Sequence, residues 1–191
     1  MPTVSCQLAA ANCQSELKIM SFSLTDVDAD DPIWTKRGAV YVPSGRGPTV
    51  WGANDVYTVK ITGEQTKGRL GFIEATVPAG GGPDPHAHTR EDESFYLIDG
   101  ELEFVDGDHT FTAVAGDFIY VPEGIRHGFK NRGNHAAKLL FMYTPAGLEQ
   151  LMLDHSTPVR PGETPPPTDD EMTARAVQVI RESETIWLSQ S

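Results

Sequence analysis

Four side chains in this sequence have the types and the spacing to hold a divalent metal ion: His86, His88, Glu93 and His127. The first two histidines lie two apart, and on an extended strand that spacing points both imidazoles to one face. A carboxylate a few residues on, across a turn, can come round to meet them. Glu93 is the best placed, and although Glu91 and Asp92 compete on proximity alone, strand parity favours Glu93 and leaves the other two to solvent. His127 follows Pro122 and Gly124, residues suited to a sharp turn that re-aims a strand, so a fourth ligand from a distant strand closes the site. Three imidazoles and one carboxylate suit iron(II), manganese, nickel, cobalt, zinc or copper rather than magnesium or calcium, and one such ion is the expected cofactor. Six-coordination leaves two positions, enough for a substrate oxygen beside a water or dioxygen; with a redox-active ion the chemistry is that of an oxygenase.

Strands must position these groups, and the sequence supplies them. Between Val56 and Tyr143 short β-rich runs alternate with turn residues: VYTVKI, LGFIEATV, SFYLI, ELEFV, HTFTAV, DFIYV, HGFK and AKLLFMY. That spacing predicts a sandwich or barrel. Asp99-Gly100 and Asp106-Gly107 offer the positive φ of tight hairpins, which predicts antiparallel neighbours. The expected organisation is an N-terminal extension with leading strands over 1–55, the barrel over 56–144 and a helical extension over 145–191. In the extension, GLEQLML reads as a short helix, followed by a proline-rich spacer. A last helix is capped by Thr168 with Glu171 in a capping box; Met172, Ala176, Val179 and Ile180 share one face, expected to pack outside the barrel. The region before Met20 is read as a tail or as sequence ahead of an internal start.

A chain of 191 residues fits one domain. Its formal net charge of −12 repels nucleic-acid phosphate and anionic lipid, so neither is an expected partner. No apolar run approaches membrane-spanning length, and the start lacks the basic flank of a signal peptide, so a cytoplasmic location is expected. Cys6 and Cys13 match neither a zinc knuckle nor a redox pair.

The two stretches that hold the candidate ligands run GGGPDPHAHTREDESFYLIDG from Gly80 and GDFIYVPEGIRHGFKN from Gly116. They resemble the two signature motifs of the cupin family, G-x5-HxH-x4-E-x6-G and G-x5-PxG-x2-H-x3-N. Gly80, His86, His88, Glu93 and Gly100 fill the first; Gly116, Pro122, Gly124, His127 and Asn131 fill the second, and the family spacing again favours Glu93. The resemblance implies an all-β jelly-roll β-barrel with short C-terminal helices added here, a bound metal, and a homodimer, since cupin barrels commonly pair. Gly80, Gly100, Gly116, Pro122, Gly124 and Asn131 are then scaffold that stays clear of substrate, and His109, His135 and His155 are surface residues.

An apolar pocket is expected beside the metal. Phe95 shares the strand parity of Glu93 and Phe129 that of His127, with Phe72, Phe104, Phe141 and Tyr143 as further candidates. Parity leaves Glu74 undecided between barrel and solvent. The ligand stretches, together with TPAGLEQLM and the proline-rich tail, resemble the small quercetin dioxygenase-like branch of the cupins. That resemblance implies a dioxygenase acting with O2 on a small phenolic or enolisable, flavonol-like substrate, with Glu93 as both ligand and general base. Two alternatives stand beside it, a metal-dependent isomerase, cyclase or lyase and a non-catalytic small-ligand-binding cupin, because pocket residues rather than the fold choose the substrate.

Overall fold

Strict in-and-out alternation dominates the central strands: β3 (Gly71–Val77) and β10 (Ala137–Thr144) bury every second residue, and pair with each other from Ala137↔Val77 to Tyr143↔Gly71. The computed structural model describes residues 30–52, 54–166 and 170–187, Met172 by its backbone alone. Thr168, Cys6, Cys13 and Met20 lie outside the described residues, as therefore do the capping-box expectation and the question of the start. The chain divides into two compact units, Met1–Ala39 and Val40–Ser191. In the first, Asp31 caps a single helical turn, α1 (Pro32–Thr35), by accepting the Ile33 N–H at 2.8 Å.

The second unit holds two antiparallel sheets. Their remaining strands are β1 (Thr49–Gly52), β2 (Asp55–Ile61), β4 (His86–Ala87), β5 (Asp92–Asp99), β6 (Glu101–Asp106), β7 (His109–Val114), β8 (Phe118–Val121), β9 (His127–Lys130), β11 (Thr157–Pro158) and β12 (Ile186–Trp187). The seven-stranded sheet runs β11-β1-β2-β3-β10-β5-β8, and the five-stranded sheet β12-β4-β9-β6-β7. The eight β-rich runs read from the sequence all form strands, and this all-β jelly-roll architecture is the expected fold. The short helices are α2 (Gly63–Thr66), α3 (Leu148–His155) and α4 (Asp170–Glu182). Among the described residues no helix is long and apolar enough to cross a membrane.

Inward-facing Ile73, Val77, Phe95, Leu97, Leu102, Phe104, Leu139 and Phe141 fill the space between the sheets, each at most 3% exposed. Burial of such a side chain contributes about 1.5–3 kcal/mol. The same parity turns Phe72 and Glu74 outward. Glu74 pairs with Lys60 at 3.1 Å and Lys138 at 3.0 Å, which assigns it to the outer face. Phe72, expected in the pocket, lies across from Met142 on that outer face, because the inward set of β3 is Gly71, Ile73, Ala75 and Val77.

One turn does something other than expected. Asp106-Gly107 closes the β6–β7 hairpin, with Asp106 opposite His109 and Gly107 at φ 60°. Asp99-Gly100 also uses a positive φ, 82° at Gly100, but it carries the chain from β5 in one sheet to β6 in the other. A two-residue signal for positive φ does not say which strand pairs next.

Asn131 locks the loops beneath the site. Its side chain, 1% exposed, donates to the carbonyls of Val77 at 2.9 Å and His135 at 2.8 Å, and accepts the Gly133 N–H at 2.9 Å. Its backbone bonds Gly80 and Gly81 at 2.8 and 3.0 Å. The glycine loop approaches too closely for larger residues: a Cβ on Gly82 meets the Phe129 carbonyl oxygen at 2.2 Å, and Gly82 has φ +108°.

Candidate metal centre

The centre draws its residues from both sheets. β4 and β9 pair through His86↔His127, which sets these two rings 4.6 Å apart. His88 follows β4, and its carbonyl is held by the Gly124 N–H at 2.7 Å, so the Pro-x-Gly turn fastens one ligand loop to the other. Glu93 comes from β5 in the opposite sheet, across from Tyr143 on one side and Val121 on the other. The four residues are buried, and one nitrogen or oxygen atom of each lies within 4.8 Å of all the others.

Glu93 Oε2 stands 3.1 Å from His88 Nε2 and 2.8 Å from His127 Nε2. Burial pushes this carboxyl upward, but the hydrogen bonds from His127 and His88 prevail and lower its pKa to about 2. His127 is moved the other way: burial lowers it, and the bond and charge of Glu93 raise it above the ordinary histidine value. His86 makes no such bond, and burial followed by repulsion from His127 brings it down to about 4, which keeps its ring neutral. The Nδ1 atoms face outward to partners, His86 to the Asp84 carbonyl at 2.9 Å and His127 to the Ile125 carbonyl at 2.8 Å. Since a carbonyl only accepts, both rings keep a proton on Nδ1, and in the neutral ring the Nε2 lone pair is free to face the centre. One carboxylate oxygen and three converging imidazole nitrogens are a donor set that fits a divalent transition metal.

A cavity of about 420 Å³ adjoins the four residues. Phe95, Phe129, Phe141 and Tyr143 line it from the core; Phe104 lies in the core without reaching it, and Phe72 is outside. Gly80, expected to stay clear, contributes backbone to its wall. Helix α4, expected to pack outside the barrel, brings Ala176, Val179 and Ile180 to the cavity wall. His109 and His135 are exposed, and His155 is bonded to Glu182 at 3.1 Å.

Several wall residues were not singled out from the sequence. Asp55, 2% exposed, accepts the Gly82 N–H at 3.1 Å and the Tyr57 hydroxyl at 3.2 Å. Burial, partly offset by these bonds, lifts its pKa to about 6. Burial and then nearby carboxylate charge hold the Tyr57 and Tyr143 hydroxyls well above the usual tyrosine range, so both remain neutral donors. Inward parity of Tyr57 with Val59 was the available signal. Glu91, expected in solvent, is 5% exposed, and its Oε2 has no hydrogen-bond partner; burial raises its pKa. Asp92 instead accepts the Glu123 N–H at 2.9 Å.

Comparison with known proteins agrees with this architecture. A family model described as a cupin domain matches residues 73–143. The tetracenomycin polyketide synthase protein TcmJ of Streptomyces glaucescens is 32% identical over 80 residues, 42% of this chain and 52% of that protein. Polyketide synthase CurC of Streptomyces cyaneus is 31% identical over 86 residues, 44% of this chain and 54% of that protein. The chain thus spans about half the length of these two relatives. Among solved structures, a protein from Thermotoga maritima described as a predicted oxalate decarboxylase superposes with a TM-score of 0.53 at 22% identity, over 55% of this chain and 98% of that one. At that identity the likeness is one of fold.

Proposed function

We propose, for a chain that carries a cupin domain at residues 73–143, that His86, His88, Glu93 and His127 hold one divalent transition-metal ion and that the centre is a dioxygenase acting on a small phenolic or enolisable substrate. The observation that carries the reading is the buried cluster opening onto a cavity walled by Phe95, Phe129, Phe141 and Tyr143. A bound ion of this kind supplies Lewis acidity toward an enol or phenol oxygen and, if redox-active, a site for dioxygen. The chain's own residues do the rest. Aromatic walls hold a flat apolar substrate and exclude water, and Glu93, ionised at neutral pH, accepts the proton of its acidic hydroxyl.

A second reading, a cyclase or isomerase using the same ion without oxidation, is favoured by the relatives named as polyketide synthase proteins. Polyketide chains are rich in enolisable carbonyls and mature to phenols, so both readings draw on one class of substrate. Turnover of a panel of flavonols, phenols and β-diketones, measured with and without air, separates them. The dioxygenase reading expects one O2 consumed per substrate and no turnover anaerobically; equal rates without air support the isomerase or cyclase, and binding without conversion supports a ligand-binding protein.

A further inference from the structure

We infer that Thr185 is a positioning residue for His88, its hydroxyl holding that ring from the far end of the chain with Ser183 as its backing. The inference takes His88 as a ligand, as proposed above, for only one of its two tests.

His86 and His127 are each steadied by a backbone carbonyl two residues earlier in the chain. His88 has no such carbonyl. Its Nδ1 lies 3.2 Å from Thr185 Oγ1, 97 residues away. Thr185 Oγ1 lies 2.7 Å from Ser183 Oγ, which in turn lies 3.2 Å from the Ile180 carbonyl. When Nε2 of His88 is engaged as a ligand, the proton must sit on Nδ1, and the chain then runs one way. Nδ1–H donates to Thr185, Thr185 to Ser183, and Ser183 to a carbonyl that can only accept. When Nε2 carries the proton, toward Glu93 at 3.1 Å, the same hydroxyls reverse and Thr185 donates to Nδ1. A hydroxyl pair therefore satisfies His88 in both tautomers, which a carbonyl cannot do.

The backbone delivers Thr185 to this place by local means. Helix α4 ends with Glu184 at φ 56°, the Thr185 N–H bonded to the Ile180 carbonyl at 3.2 Å and the Glu184 N–H to the Arg181 carbonyl at 3.4 Å, the pattern of a Schellman turn. β12 then pairs with β4, Ile186 opposite Ala87 and Trp187 opposite His86, so Thr185 falls beside His88. Trp187 stacks on His86 at 4.6 Å and 14°. Thr89, next to His88, donates to the Glu184 carbonyl at 3.3 Å, and Arg90 to the Glu182 carbonyl at 3.4 Å. Ser183 and Thr185 are 1% and 9% exposed, so the hydroxyl pair holds His88 from a buried position.

Thr185→Val keeps the shape and removes the hydroxyl; Thr185→Ser restores it. By chelator competition, T185V is expected to bind Zn(II) 10- to 100-fold more weakly than the wild-type chain, and T185S within about threefold of it. In the metal-free proteins, imidazole 1H–15N spectra are expected to show the His88 signals displaced by T185V, with those of His86 and His127 in place. Wild-type affinity in T185V, or unmoved His88 signals, overturns the proposal. Absence of zinc binding by the wild-type chain overturns the metal reading instead, and the His88 spectrum then decides the role of Thr185 alone. Should T185V not fold, Ser183→Ala breaks the same chain one link further out, and unmoved His88 signals in that variant overturn the proposal equally.

Discussion

Replacing His86 with alanine is expected to abolish stoichiometric metal binding, weakening affinity by at least about 100-fold, while the barrel remains folded. Loss of one of four donors removes more than the loss of an outer partner does, and this ring is neutral, with a lone pair available for the ion. Its removal is also mild for the fold. His86 makes no bond to Glu93, its strand is held by backbone pairing to β9 and β12, and the contacts of Glu93 with His88 and His127 survive. His127→Ala is expected to lose the metal equally but to cost more stability, because it strips the 2.8 Å partner from a buried carboxylate. Metal analysis after reconstitution, with far-UV circular dichroism and urea unfolding alongside, measures both effects. Full occupancy in both variants contradicts the ligand assignment.

Glu93→Gln is expected to retain much of the metal and to lose turnover by about 10² or more, the scale of removing a general base. Glutamine keeps the size and an oxygen donor, but it cannot accept the substrate proton. Activity that falls only in step with metal content limits Glu93 to holding the ion. Unchanged activity at full occupancy excludes it as the base. Glu74 is then no candidate, since it faces outward between Lys60 and Lys138; Asp55 is the buried carboxyl on the cavity wall, with a pKa near 6 suited to proton exchange.

The four cluster residues and most strands were legible in the sequence because each rests on a local rule. Two-residue spacing puts His86 and His88 on neighbouring inward positions, and period-two alternation marks β3 and β10. What escaped depends on contacts made across the chain. Phe72 has the chemistry of a pocket residue, and only its register with Met142 reveals the outer face. Glu91 sits two residues from Glu93 yet is covered by neighbouring segments rather than by solvent. Asp99-Gly100 announces a turn without its destination. Thr185 and Trp187 meet the histidines only because a helix ends in a left-handed residue and its short following strand joins the five-stranded sheet. The β-branched and aromatic pair Ile186-Trp187 was the one local hint of that strand.

Anomalous diffraction from crystals of the reconstituted protein, collected on either side of the absorption edge of the supplied metal, tests the central claim most directly. The account predicts a single strong peak bounded by the Nε2 atoms of His86, His88 and His127 and the carboxylate of Glu93. A well-occupied peak at another place, or none among these four residues in protein supplied with each candidate metal in turn, contradicts it.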